Sequence, residues 1–468
     1  MAPIFVKRYA GSEKLGEYTE LYGFTLRQNG SAVTVDYIED NKNYTPASAN
    51  CTNGYNYTYN FVYGTFDYGS WKNVFFIKNL KPCMLKYDGA VDYYLNPDDV
   101  TKKVNGGDSD VKNQSYQGNA MVEFPKIYWK IVNNADGSIS VYVCDGKKDK
   151  NFVCWSHIDA NGREIPYCYM SMYLGKTAKN SSTGLYELRS LSYGAPSTAT
   201  FSNLMTYAEN NNRNGQHIWE PDVYCDRVLL TILTVLLGKT VDSQDVFGYG
   251  RCTRFSSLSS DNTAYGTTDT KGMFAPNNYA YAADGNGSCM KAFGINDLWS
   301  RFHRFCVGLI LDKSTSGSYG IRVKWTYGKS DGSAQEGYSG YQYANRVALP
   351  EVAACYSGST YRRITGIIAD NKYGFLPKSV DTTNNTRAKP DYFGGDGAYS
   401  ISSIGSYNYA AMGGGQSSIS TSGTTDAHAT SNANVVLRNG IFGTGFISTS
   451  NTSASTLATG LSCKPLAA

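Results

Sequence analysis

At 468 residues the chain is long enough for two or three domains, and a net charge of only +4 with no basic block gives nucleic-acid binding no support. Charged residues are few at 18%, while Gly (48) and Tyr (39) are abundant. Tyr mixed with Ser, Gly and Asn suits adaptable binding surfaces, because tyrosine is large, amphipathic and loses little entropy on ordering; strands accept the same aromatics.

Residues 1–98 read as a β-rich unit in which short aromatic runs such as Asn73–Ile77 (NVFFI) alternate with Gly/Asn turns, closed by Tyr93–Pro97. The opening, MAPIFVKRYAG, lacks the apolar core of a secretory signal. Residues 99–118 are polar without apolar period and read as a linker or long loop. Met121–Val132 (MVEFPKIYWKIV) predicts a strand with Pro125 at a bulge or edge, since proline cannot donate to a ladder. Ser138–Cys144, after the Asp136-Gly137 turn, is its predicted hairpin partner. Thr200–Asn212 has helical spacing, with Phe201, Leu204, Met205 and Ala208 on one stripe.

Asp222–Leu237 (DVYCDRVLLTILTVLL) is the strongest helical pattern in the chain. Pro221 suits a first helical position, Asp222 places a negative charge near the positive end, and Gly238 suits the left-handed cap. The run Val228–Leu237 is apolar nearly all round and must be buried, yet is too short for a bilayer, which needs about 20 residues. Strands are predicted at Cys306–Asp312 and Gly320–Tyr327, and a strand pair at Val435–Thr449. The expected architecture is α+β, mostly β and loops, wrapped on one buried helix.

From Gly397 to Cys463 only Asp426 and Arg438 are charged; the rest is Ser, Thr, Gly, Ala, Asn and Tyr with a few apolar residues. A β scaffold with solvated loops, a neutral binding surface and a disordered tail all fit that composition. The alternation in Val435–Thr449 speaks against the last.

Catalytic signals are thin. None of the four histidines (His157, His217, His303, His428) lies in an H-E-x-x-H pattern. The CWSHID stretch sets His157 near Cys154 and Asp159, but catalytic partners are usually distant in sequence. The 11 cysteines are scattered, without C-x-x-C or zinc spacing, and most are expected to be reduced and buried. Glu220-Pro221-Asp222 and Asp261–Asp269 carry oxygens without a regular calcium-loop spacing, so no metal or other cofactor is expected.

Several motifs in order form a pattern: NLKPCMLKYDGAVDYYLNP (Asn79–Pro97), GNAMVEFPKIYWK (Gly118–Lys130), YELRSLSYGAP (Tyr186–Pro196), TYAENNNRNGQHIW (Thr206–Trp219), SQDVFGYG (Ser243–Gly250), KAFGINDLW (Lys291–Trp299), FCVGL (Phe305–Leu309), RNG (Arg438–Gly440) and GLSCKP (Gly460–Pro465). This order resembles tail-associated proteins of bacteriophages and prophages whose C-terminal part has a C-type-lectin-like fold. That fold also carries retroelement-diversified variable proteins and the formylglycine-generating enzymes. The resemblance covers the chain from about residue 60 to its end; where similar proteins show a motif like GIENLWGN, this chain reads GINDLWSR (Gly294–Arg301).

The resemblance implies a β-rich virion-attachment domain over 1–98, a linker or loop over 99–118, and a C-type-lectin-like domain with insertions over 119–468, its receptor-facing surface within 391–455. Tyr392, Phe393, Tyr399, Tyr407, Asn408, Tyr409 and His428 are the candidate contact residues there. The function expected is a non-enzymatic receptor-binding protein of a phage tail. Its partners would be a bacterial surface protein or glycan and other tail proteins, and it would be a homo-oligomer, a trimer being one arrangement, with no membrane insertion. It would fold in the host cytoplasm and act in the virion. A purely structural baseplate or capsid-decoration protein and a surface-glycan hydrolase are the other classes weighed.

Overall fold

The computed structural model describes residues 18–50, 64–194, 196–197, 199–247, 268–276, 289–299, 303–313, 319–323, 342–343, 362–380, 397–400, 407–412, 444–448 and 457–467. Strands predominate among them, and helices are few and short apart from Tyr224–Gly238, whose fifteen residues are all buried. A helix with no solvent face needs neighbours on every side, and this one has them. The Tyr224 hydroxyl donates to the carbonyls of Tyr373 (2.7 Å) and Phe375 (3.1 Å). Gly374, at φ +72, lets the backbone pass over Val228, where a Cβ would lie 2.4 Å from a valine methyl.

The ends of this helix differ from the sequence expectation. Trp219–Pro221 is a strand and Val223 is the extended N-cap residue, so Pro221 and Asp222 lie outside the helix. The reason is tertiary: Trp219–Pro221 pairs with Leu461–Cys463, and the Asp222 carbonyl accepts from the amide of Val307 at 2.9 Å. At the other end Gly238 is still helical, and Lys239 takes the left-handed position at φ 52. The last carbonyls find partners: the Tyr37 hydroxyl donates to Leu236 (2.7 Å) and Leu237 (3.1 Å), and the Ala47 amide to Leu237 (2.8 Å).

Two sheets pack around the helix. A four-stranded antiparallel sheet runs in the order Ala32–Glu39, Leu21–Asn29, Ile139–Cys144, Tyr128–Asn133. A six-stranded one runs Trp219–Pro221, Leu461–Cys463, Tyr167–Ser171, Gly118–Pro125, Lys81–Lys86, Val91–Tyr94. The period of two sorts the six-stranded sheet's side chains onto two buried faces. Ala120, Val122, Phe124, Met84, Cys168 and Met170 join the core that holds the long helix. Met121, Cys83, Leu85 and Tyr169 join a second core under the helix Phe201–Glu209. That shorter helix buries Phe201, Leu204, Met205 and Ala208 as their spacing predicts, and Thr200 caps it by accepting from the Asn203 amide.

Met121–Val132 is two strands rather than one. Gly118–Pro125 ends at the proline and belongs to the six-stranded sheet, whereas Tyr128–Asn133 belongs to the four-stranded sheet and pairs with Ile139–Cys144. The proline has no amide to continue its ladder, and the next amide, of Lys126, turns to the Pro166 carbonyl. The aromatic run Asn73–Ile77 is not extended either; Phe75–Lys78 forms one helical turn that buries Phe75 and Phe76.

Strands from either side of the expected 99–118 linker share both sheets, so these sheets do not segregate at that point. Residues 99–118 form a loop seated on the core by Val100 and Val111, both buried. A third, nine-stranded sheet carries the described later part of the chain, in the order Gln342–Tyr343, Tyr319–Val323, His303–Lys313, Tyr407–Met412, Thr444–Ser448, Gly397–Ser400, Arg362–Asp370, Gly374–Val380, with Leu457–Ala458 beside His303–Lys313.

Candidate functional site

Four of the seven candidate contact residues lie on adjoining parts of the nine-stranded sheet. Tyr399, on Gly397–Ser400, pairs with Gly445 of the parallel strand Thr444–Ser448. Tyr407, Asn408 and Tyr409 open the strand Tyr407–Met412, which is antiparallel to Thr444–Ser448 on one side and to His303–Lys313 on the other. In that second pairing Tyr407 faces Asp312, Asn408 faces Leu311 and Tyr409 faces Ile310. Residues separated by eight or more positions in sequence are thus two strands apart. Tyr392, Phe393 and His428 lie outside the described residues. Tyr, Phe and Ile in these segments are residue types that strands favour.

This sheet is tied to the body through a wide irregularity in His303–Lys313. The register against Tyr407–Met412 jumps between Cys306 and Ile310, and within that bulge the Val307 amide reaches the Asp222 carbonyl just ahead of the long helix. Arg304 forks onto the Asp222 carboxylate, with Nε at 2.8 Å and Nη2 at 3.2 Å, and the pair is largely buried. One helical turn on, Asp226 meets Lys464, whose ammonium is fully buried and also donates to the Ser156 carbonyl at 2.6 Å. Burial alone would lower the Lys464 pKa; the Asp226 charge outweighs it and holds the ammonium above the ordinary lysine value. Met170, Asp222, Asp226, Arg227, Arg304 and Cys306 line a small cleft between these pairs.

These anchors were missed from sequence, although a signal existed. Asp226 and Arg227 are charges inside a helix that is otherwise apolar on all sides, and a buried charge demands a partner. Which residue would supply it was not readable.

His157, Cys154 and the described carboxylates of the motifs considered for chemistry are engaged in the fold. His157 is fully buried, its Nε2 is 3.3 Å from the Phe124 carbonyl, and Nδ1 has no partner. Burial, with the charge of Lys464 adding to it, pushes its pKa down to about 3. Burial pushes the Cys154 thiol up to about 12. The two are therefore neutral, the opposite of a thiolate–imidazolium pair. Asp159 accepts from the amides of Asn161, Arg163 and Ala467 and so shapes a turn. Glu220-Pro221-Asp222 is consumed by the strand and by the Arg304 pair, and Asp269 accepts from Tyr173 and Ser192 at 2.6 and 2.7 Å. Among the described residues no three His, Cys, Asp or Glu side chains come together as a metal site.

Nor is any described helix long and apolar enough to cross a membrane. No protein-family model matches the chain, and no curated protein matches it by sequence.

Proposed function

We propose that the protein is a receptor-binding protein of a bacteriophage tail, with a C-type-lectin-like region over 119–468 that presents neutral, tyrosine-rich segments to a bacterial surface protein or glycan. The observation that carries the reading is the grouping of Tyr399 with Tyr407, Asn408 and Tyr409 on the strands flanking Thr444–Ser448, within a stretch almost free of charge. Aromatic rings stack on sugars and fill protein pockets, and neutral hydrogen-bonders around them cost little to desolvate. The ordered motifs from Asn79 to Pro465 support the same reading.

In this reading the protein is not an enzyme and needs no cofactor. It folds in the host cytoplasm, joins other tail proteins through residues 1–98, and acts as a homo-oligomer, so that several weak sites gain avidity.

The test is binding of the purified protein to host cells, comparing the intact chain with the Tyr399→Ala/Tyr407→Ala/Tyr409→Ala variant. Binding should fall by at least about tenfold in the variant, with its circular dichroism unchanged; each lost aromatic anchor costs on the order of 1–2 kcal/mol. Equal binding by the two would move recognition elsewhere on the chain. No binding by either, to any cell of the host range, would favour a structural virion component, and release of sugar from host glycans would favour a hydrolase.

A further inference from the structure

The last described residues do something that the receptor reading does not require. Leu457–Ala458 runs parallel to His303–Arg304 in the nine-stranded sheet. Three residues later Leu461–Cys463 lies between Trp219–Pro221 and Tyr167–Ser171 in the six-stranded sheet. One short terminal segment is therefore hydrogen-bonded into both. We propose that residues 457–467 form a latch that fixes the nine-stranded sheet to the body of the protein, with the Asp226–Lys464 pair as its lock.

The segment is fastened mainly by polar contacts. The Thr459 hydroxyl donates to the Phe305 carbonyl at 2.9 Å, and the Gly460 amide to the Asp222 carboxylate at 2.8 Å, the same carboxylate that holds Arg304. The Ser462 hydroxyl donates to Asp226 at 2.6 Å, opposite Lys464. The Lys464 amide closes on the Ile218 carbonyl, and the Ala467 amide on Asp159. Gly460 must be glycine for the segment to seat, since a Cβ there would lie 2.1 Å from the Ser171 hydroxyl and 2.6 Å from the Arg304 guanidinium.

Two features make this a latch and not merely more core. It passes from one sheet to the other within seven residues, so loosening these few residues uncouples the two sheets, and openings that small occur below the energy of global unfolding. Its apolar contribution to the second core is small, chiefly Leu461 and Cys463, so its hold depends on the buried charges beneath it. A buried ammonium whose carboxylate is removed, or the reverse, is strongly unfavourable, whereas removing both charges together is far milder.

Hydrogen exchange read by mass spectrometry on the full-length protein tests the proposal, with Lys464→Met and the double variant Asp226→Asn/Lys464→Met beside the wild type. In Lys464→Met, exchange should rise by at least about tenfold in 219–221, 303–306 and 457–463, while 21–29 and 139–144 keep wild-type protection. The double variant should recover part of the lost protection. Unchanged exchange in Lys464→Met, or loss of protection in all strands at once, overturns the latch. A double variant no better protected than the single overturns the role of the pair as its lock.

Discussion

His157 shows how little a residue's type says about its use. A histidine beside a cysteine and an aspartate in sequence invites a catalytic reading, but burial among strands leaves its ring neutral against the backbone of Phe124 and Pro125. The energetic consequence is a pH dependence. The unfolded chain takes up a proton near pH 6.5, the folded one only near pH 3. Between those values the unfolded state binds more protons, so stability is lost as the pH falls through that window. From pH 6.5 to pH 4 the loss assigned to this one ring is about 2–3 kcal/mol. Urea unfolding of wild type and His157→Leu at the two pH values checks it: the variant should be less acid-sensitive by that amount, and parallel losses in the two proteins would refute the assignment.

At the scale of elements, the long helix was legible because its apolar run admits no other solution, while its ends were not. Pro221 and Gly238 are standard helix punctuation, yet the helix begins after Val223 and hands its left-handed position to Lys239. Strand pairing with Leu461–Cys463 took the N-terminal residues, and hydrogen bonds from Tyr37 and Ala47 set the C-terminal end. Two variants follow. Lys239→Gly should stabilise the protein by up to about 1 kcal/mol, because a glycine enters the left-handed region without the Cβ penalty, less what the Lys239 ammonium gains over the Tyr37 ring. Tyr37→Phe should destabilise it by about 1–3 kcal/mol by leaving buried helix carbonyls under-bonded. Thermal or urea melts decide both, and opposite signs would contradict this account of the helix end.

For the whole molecule, the described cysteines give the clearest expectation. All eight are free and buried, and burial pushes the thiols of Cys144, Cys154 and Cys306 up to about 12. A thiol reagent acts on the exposed thiolate, so these positions should stay unlabelled in the native protein for hours and react within minutes in denaturant, as read by peptide mass spectrometry. Rapid native labelling of Cys225 or Cys463, next to the latch, would instead mean that the C-terminal segment opens readily. Connectivity at this scale was the least legible. Residues 99–118 read as a linker or long loop by composition; Val100 and Val111 anchor this loop on the core, and the strands on either side meet in the same sheets.

The amino-acid sequence by itself determined the β-rich class with one buried helix, the apolar stripe of Phe201–Glu209, the hairpin after Asp136-Gly137, and the near-absence of charge between Gly397 and Cys463. Those are local properties, set by apolar periodicity, turn chemistry and composition over a few residues. Only the tertiary structure decided that Met121–Val132 splits between two sheets, that Tyr399 and Tyr407–Tyr409 lie on strands flanking Thr444–Ser448, and that Asp222 and Asp226 take Arg304 and Lys464 as partners. Lys464 stands 238 positions from Asp226. A pairing over that separation leaves no local pattern, because its energy comes from burying both charges together in a core that exists only once the chain has folded.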